Sequence, residues 1–136
     1  LENQVVFHNI KIRKNLDNEL PPLMIDKGKM KQVFLNLLVN AAEAMREKGG
    51  TLTISTQTAG ERNVEIIFKD TGTGIAPENL NKLFDPFFTT KGGGTGLGLA
   101  VTYGIIKQHH GKIDVQSTLS EGSVFTIILP LPDTNN

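Results

Sequence analysis

Between residues 26 and 50, in DKGKMKQVFLNLLVNAAEAMREKGG, apolar positions recur at helical spacing. Asp26 suits an N-cap, and Gly49 and Gly50 suit a stop. At 100° per residue, Phe34, Met45, Leu38, Ala41, Met30 and Leu37 form one broad apolar face, which is expected to meet a sheet. Opposite them, Gln32, Asn36, Asn40, Glu43 and Glu47 fall within a sector roughly 80° wide. Leu35 and Val39 border that sector on one side, Val33 and Ala44 on the other. The stripe has two readings. Being narrow and poor in lysine and arginine, it suits the floor of a polar pocket; the alternative is a set of surface amides.

The rest of the chain changes period. VVFHNIKIRKN, at residues 5–15, alternates as a strand or hairpin arm would. TLTISTQT and NVEIIFK read as two strands joined by the turn AGER, with Val64, Ile66 and Phe68 on one face. A second helix is expected from Thr95 through GLGLAVTYGIIKQHH, ending at Gly111. KIDVQSTLSEGSVFTIILPLP closes as a hairpin turning at Ser120, Glu121 and Gly122, and the polar tail DTNN is expected to fray. Helices set among mostly antiparallel strands predict an α+β sandwich with the helices on one face of a sheet.

A length of 136 residues fits a single domain, residues 1–136. The 14 basic and 14 acidic side chains cancel, so nothing marks a nucleic-acid or anionic-membrane binder. Cysteine is absent, which excludes disulfides and thiolate metal sites, and three scattered histidines do not make a zinc site. No uncharged apolar run reaches membrane-spanning length. A cytoplasmic location is expected, either for the whole protein or as a cytosolic piece of something larger.

The chemistry concentrates in residues 70–98. Asp70 ends a predicted strand, where a side chain projects into a cleft. Its carboxylate accepts hydrogen bonds, so it suits the exocyclic amine of adenine and repels the carbonyl of guanine. The competing reading is an Asp-Thr-Gly turn. Gly72 and Gly74 let the backbone lie close against a base. GGGTGLGLA runs into a helix start, where amides flanked by Gly94, Gly96 and Gly98 form an anion site. Neither G-x-x-x-x-G-K-[ST] nor a strand-borne G-x-G-x-x-G is present. Lys91 could neutralise a terminal phosphate or simply be solvated. Between the glycine clusters, Ala76, Pro77 and Glu78 can start a short helix carrying Leu80 and Leu83. Phe84, Phe87 and Phe88 follow, either as packing within a nucleotide lid or as a docking patch.

Taken in order, NLLVNAAEAM, DTGTGIAPENL, LFDPFFTTK and GGGTGLGLA resemble the four boxes of the ATP-binding catalytic domain of bacterial sensor histidine kinases. The resemblance spans about residues 23 to 130, and the wording of the first and third boxes is most similar to the nitrogen-regulation group. The wider superfamily includes DNA gyrase, heat-shock chaperones, mismatch-repair ATPases and anti-sigma serine kinases. The resemblance implies a Bergerat-type two-layer sandwich of three helices on a mixed sheet of about five strands. It implies ATP and Mg2+ as cofactors, with Asn40 ligating the metal and Asn36 helping at the phosphates; Glu43, a catalytic candidate on the same stripe by its chemistry, could hold a water, orient the metal shell, act as a base or orient an incoming imidazole. Asp70 would bind the adenine amine, and Gly72, Gly74 and Ile75 would shape the base pocket. Phe84, Phe87 and Phe88 would belong to the lid, and Gly94, Gly96 and Gly98 would lie at the phosphates, with Lys91, Thr95 and Leu97 beside them as further candidate cofactor-binding residues.

In the hydrolytic relatives a glutamate stands where this chain has Asn36, and an amide is no general base. Hydrolysis should therefore be slow, with the γ-phosphate kept for a histidine on a separate dimerisation hairpin of the same kinase and passed on to a response regulator. No such hairpin is visible in the chain, so the isolated domain is expected to be monomeric and the full-length protein a homodimer. Two other functions compete: a serine kinase that restrains a sigma factor, and a non-catalytic module gated by nucleotide.

Overall fold

The computed structural model describes residues 9–88 and 98–132. Among these, five strands form one sheet: β1 (Ile10–Asn15), β2 (Gly50–Ala59), β3 (Asn63–Asp70), β4 (Lys112–Thr118) and β5 (Gly122–Pro130), in the order β1-β2-β3-β5-β4. β1 runs parallel to β2 and every other pairing is antiparallel, so the sheet is mixed, as expected. Three helices accompany it: α1 (Lys27–Ala44), α2 (Pro77–Leu80) and α3 (Gly98–Gln108).

The period-2 pattern fixes which face is dry. Val64, Ile66 and Phe68 on β3 and Phe125, Ile127 and Leu129 on β5 all turn inward and are buried, joined by Leu52 and Ile113 from the flanking strands. At the end of the sheet this inward row changes character. Asp70 and Ser123 are register partners, and both are buried polar side chains.

α1 starts as its sequence dictates, with the Asp26 carboxylate accepting from the Lys29 amide at 3.0 Å. Its buried face differs from the one expected. Met30, Val33, Leu37, Ala41 and Met45 are buried, whereas Phe34 is 37% exposed and lays its ring against Phe68 at 5.7 Å. The burial extends toward Val33 because α1 packs against two walls, the sheet and α3. A helical wheel counts one partner and misses the second. Fully burying a side chain such as Leu37 contributes about 1.5–3 kcal/mol.

α3 packs on α1 through polar ties. The Asp26 amide donates to His109 Nε2 at 3.0 Å, Lys29 Nζ donates to Gln108 Oε1 at 3.0 Å, and Asn36 Nδ2 donates to the Gly98 carbonyl at 3.0 Å. The first two join the start of α1 to the end of α3, and the third joins the middle of α1 to the start of α3, so the helices run antiparallel. His109 Nε2 accepts here, so the ring proton lies on Nδ1, which faces the Ile105 carbonyl at 2.8 Å. The ring thus bridges the start of α1 and the last turn of α3.

Candidate nucleotide site

The site lies where α1, the end of β3 and the start of α3 meet. α1 presents Asn36, Asn40 and Glu43, all half-buried, on the polar stripe predicted from its sequence. The Asn36 amide spans the gap to α3: its Oδ1 accepts from Gln32 Nε2 at 2.8 Å, and its Nδ2 meets both the Gly98 carbonyl and Thr102 Oγ1, the latter at 3.2 Å. The helix that bears the stripe therefore fixes the point where the glycine run ends.

Asp70 is 4% exposed, and its Oδ1 accepts from the Gly72 amide at 2.9 Å. This is the Asp-Thr-Gly turn, and it is formed by a buried carboxylate at the end of the sheet; the turn and the cleft position coexist. Gly72 has no room for a side chain. A Cβ there would lie 2.6 Å from the Ala44 carbonyl oxygen and 2.7 Å from Ala44 Cβ. The Thr73 amide donates to that same carbonyl at 3.1 Å, so the loop after β3 is laced to the end of α1. Gly74 takes φ of 76°, and its Cα faces the Thr118 carbonyl. Ile75 is half-buried against the core, and its amide donates to Ser117 Oγ at 2.7 Å.

Beside this loop a cavity of about 520 Å3 is lined by Glu43 and Gly72 together with Glu47, Thr71, Thr73 and Ser120. Glu43 thus lies on the same wall as the loop after β3.

Phe84 is drawn to α3, its ring 5.5 Å from that of Tyr103, and Leu83 is buried. Phe87 is 73% exposed, whereas Phe84 and Phe88 are half-buried. From Gly98 onward α3 is helical as predicted, and the expected start at Thr95 lies outside the described residues. Lys91, Gly94, Thr95, Gly96 and Leu97 lie outside the described residues, and so does most of the predicted phosphate loop.

Sequence reasoning overlooked Ser117, Ser123, Thr102 and Ala44. The alternation of β4 and β5 turns both serines toward the loop side of the hairpin, a signal available from period alone. Thr102 holds the Gly98 carbonyl at 2.9 Å from one turn along α3.

Among the described residues no group of three or more His, Cys, Asp and Glu side chains is arranged to hold a metal ion. No described helix is long and apolar enough to cross a membrane.

Helices on a mixed five-stranded sheet, with a polar helix stripe tied to the start of a second helix and a buried carboxylate at the end of the central strand, are the architecture of the histidine-kinase ATPase sandwich. The chain belongs to the histidine kinase-, DNA gyrase B-, and HSP90-like ATPase family, whose profile matches residues 25–133. It is 40% identical over 131 residues to sporulation kinase E of Bacillus subtilis (strain 168), covering 96% of this chain and 18% of that protein. The catalytic domain of histidine kinase ThkA superposes with a TM-score of 0.80 at 36% identity, covering 95% of this chain and 84% of that one. Full-length ShkA, solved in complex with AMPPNP, matches with a TM-score of 0.81 at 27% identity, over 94% of this chain and 28% of that one. The chain spans between 18% and 30% of the length of the curated kinases it resembles.

Proposed function

We propose that this chain binds Mg-ATP and donates the γ-phosphate to a histidine on a separate dimerisation hairpin, as the kinase core of a two-component pathway ending at a response regulator. The observation that carries this reading is the buried Asp70 carboxylate at the sheet end, joined through Gly72 and Thr73 to the helix that bears Asn36, Asn40 and Glu43. A carboxylate in that position selects an amine donor on the base and disfavours guanine. The complex of ShkA with AMPPNP supports a nucleotide in the equivalent fold.

The residues fit a magnesium ion carried on phosphate oxygens. Without an acidic cluster among the described residues, the protein would supply a neutral oxygen, that of Asn40, with phosphates and waters completing the shell. The ion, when bound, would neutralise charge on the phosphates. In the transfer the acceptor imidazole nitrogen forms a bond to the γ-phosphorus as the bond to the β-phosphate oxygen breaks, and ADP leaves. Glu43 would orient the imidazole or take its proton, Phe84 would belong to the lid within residues 70–98, and Gly94, Gly96 and Gly98 with Lys91, Thr95 and Leu97 would face the phosphates. Asn36 is an amide and activates no water, which supports transfer over hydrolysis.

His109 is not the acceptor, since both its ring nitrogens are committed within the fold. The acceptor hairpin would also make the full-length protein a homodimer, leaving this domain monomeric by itself. A cytoplasmic site of action follows from the ATP supply.

Calorimetric titration with a non-hydrolysable ATP analogue, with and without magnesium, tests the reading on the wild-type chain and Asp70→Asn. Binding that prefers adenine to guanine and is lost in the variant is expected; a folded wild-type chain with no affinity for the analogue overturns it.

A further inference from the structure

The polar row at the sheet end extends beyond Asp70. Leu52, Asp70, Ser123 and Ser117 are register partners across β2, β3, β5 and β4. Ser123 is 5% exposed, and Ser117 is half-buried. The Ser117 hydroxyl makes three hydrogen bonds: it donates to the Gly122 carbonyl at 3.0 Å, accepts from the Ile75 amide at 2.7 Å, and lies 2.8 Å from Ser123 Oγ. A hydroxyl has one proton and two lone pairs. With its proton on Gly122 and one lone pair on Ile75, the remaining lone pair receives the proton of Ser123. The group is saturated, and each bond fixes its rotation.

A second tie lies on the other side of Gly74. The Ser120 amide donates to the Thr73 carbonyl at 2.8 Å, and Gly74 between the two ties packs its backbone on the Thr118 carbonyl. The β4–β5 hairpin thus grips the loop after β3 at Thr73, from its turn, and at Ile75, from the end of β4. The loop has little regular structure of its own, so its path is set from outside.

We propose that Ser117 is a positioning residue for nucleotide binding: through the Ile75 amide it holds the Gly74–Ile75 backbone in the shape that receives the base, without touching the ligand. This rests on the nucleotide reading above. Removal of the hydroxyl leaves the Ile75 amide without its acceptor and Ser123 without its lone pair, so the loop relaxes and must be reordered by the incoming nucleotide.

The test is titration of the 136-residue chain with a non-hydrolysable ATP analogue, well below its melting temperature, for wild type, Ser117→Ala and Ser117→Thr. Ser117→Ala is expected to raise Kd about five- to tenfold, and Ser117→Thr, which keeps the hydroxyl, to return it to within about twofold. A purely structural role would lower the melting temperature and leave the Kd of the folded protein unmoved. Wild-type affinity in Ser117→Ala, or no recovery in Ser117→Thr, overturns the assignment. On the wild-type chain itself the Ile75 amide is expected to exchange with solvent as slowly as the strand amides of β3, and fast exchange there also overturns it. If the folded wild type binds no analogue, the nucleotide reading fails and takes this assignment with it; binding by wild type with an indifferent Ser117→Ala sinks the assignment alone.

Discussion

Asn36 Nδ2 donates to the Gly98 carbonyl at 3.0 Å, so the stripe of α1 and the first residue of α3 form one unit. Replacing Asn36 by Ala removes that bond and should cost about 1–2 kcal/mol of stability. Asn36→Asp should cost more, because it sets a carboxylate against a carbonyl with no proton between them. Denaturant unfolding of the two variants side by side checks the order; equal stability would remove the role of the donor.

Gly72 is confined by Ala44. Gly72→Ala should destabilise by about 1–3 kcal/mol, since its Cβ meets both the carbonyl and the Cβ of Ala44. Adding Ala44→Gly relieves the second contact and leaves the first, so the double variant should recover part of the loss. A double-mutant cycle by thermal melting measures the coupling.

Asn40 is assigned to the metal on the chemistry of its oxygen. Asn40→Ala should bring the affinities for the ATP analogue measured with and without magnesium together, while the magnesium-free affinity stays close to that of wild type. A variant with an intact magnesium response would point to another ligand.

His109 bridges Asp26 and Ile105 at the end of the helix pair remote from Gly98. His109→Ala should lower stability by about 1–2 kcal/mol and leave nucleotide affinity unchanged. Nitrogen chemical shifts of the ring should report the Nδ1–H form in the wild type.

Period alone carried much of this fold. The inward alternation of Val64, Ile66 and Phe68, the Asp26 cap and the turn at Ser120 to Gly122 were all legible, because each rests on local chemistry. What escaped depends on partners distant in sequence. Val33 is buried and Phe34 half-exposed because α3 supplies a second wall, and nothing within residues 26–50 announces it. The parallel pairing of β1 with β2 is equally silent, since alternation does not encode direction. Asp70 and the asparagine stripe stood out by residue type, whereas Ser117 looked like any strand serine until the Ile75 amide arrived beside it. Lys91, Gly94, Thr95, Gly96 and Leu97 lie outside the described residues, and their assignment rests on motif.

The polar ties between α1 and α3 have a mechanical consequence. Two antiparallel rods pinned at both ends of their overlap resist sliding and hinging, and α1 measures about 27 Å at 1.5 Å per residue. The pair is a beam. Sliding one helix along the other would break hydrogen bonds at Lys29 and at Asn36 together, so the spacing between Asp26 and Gly98 is held by the pair rather than by either helix alone.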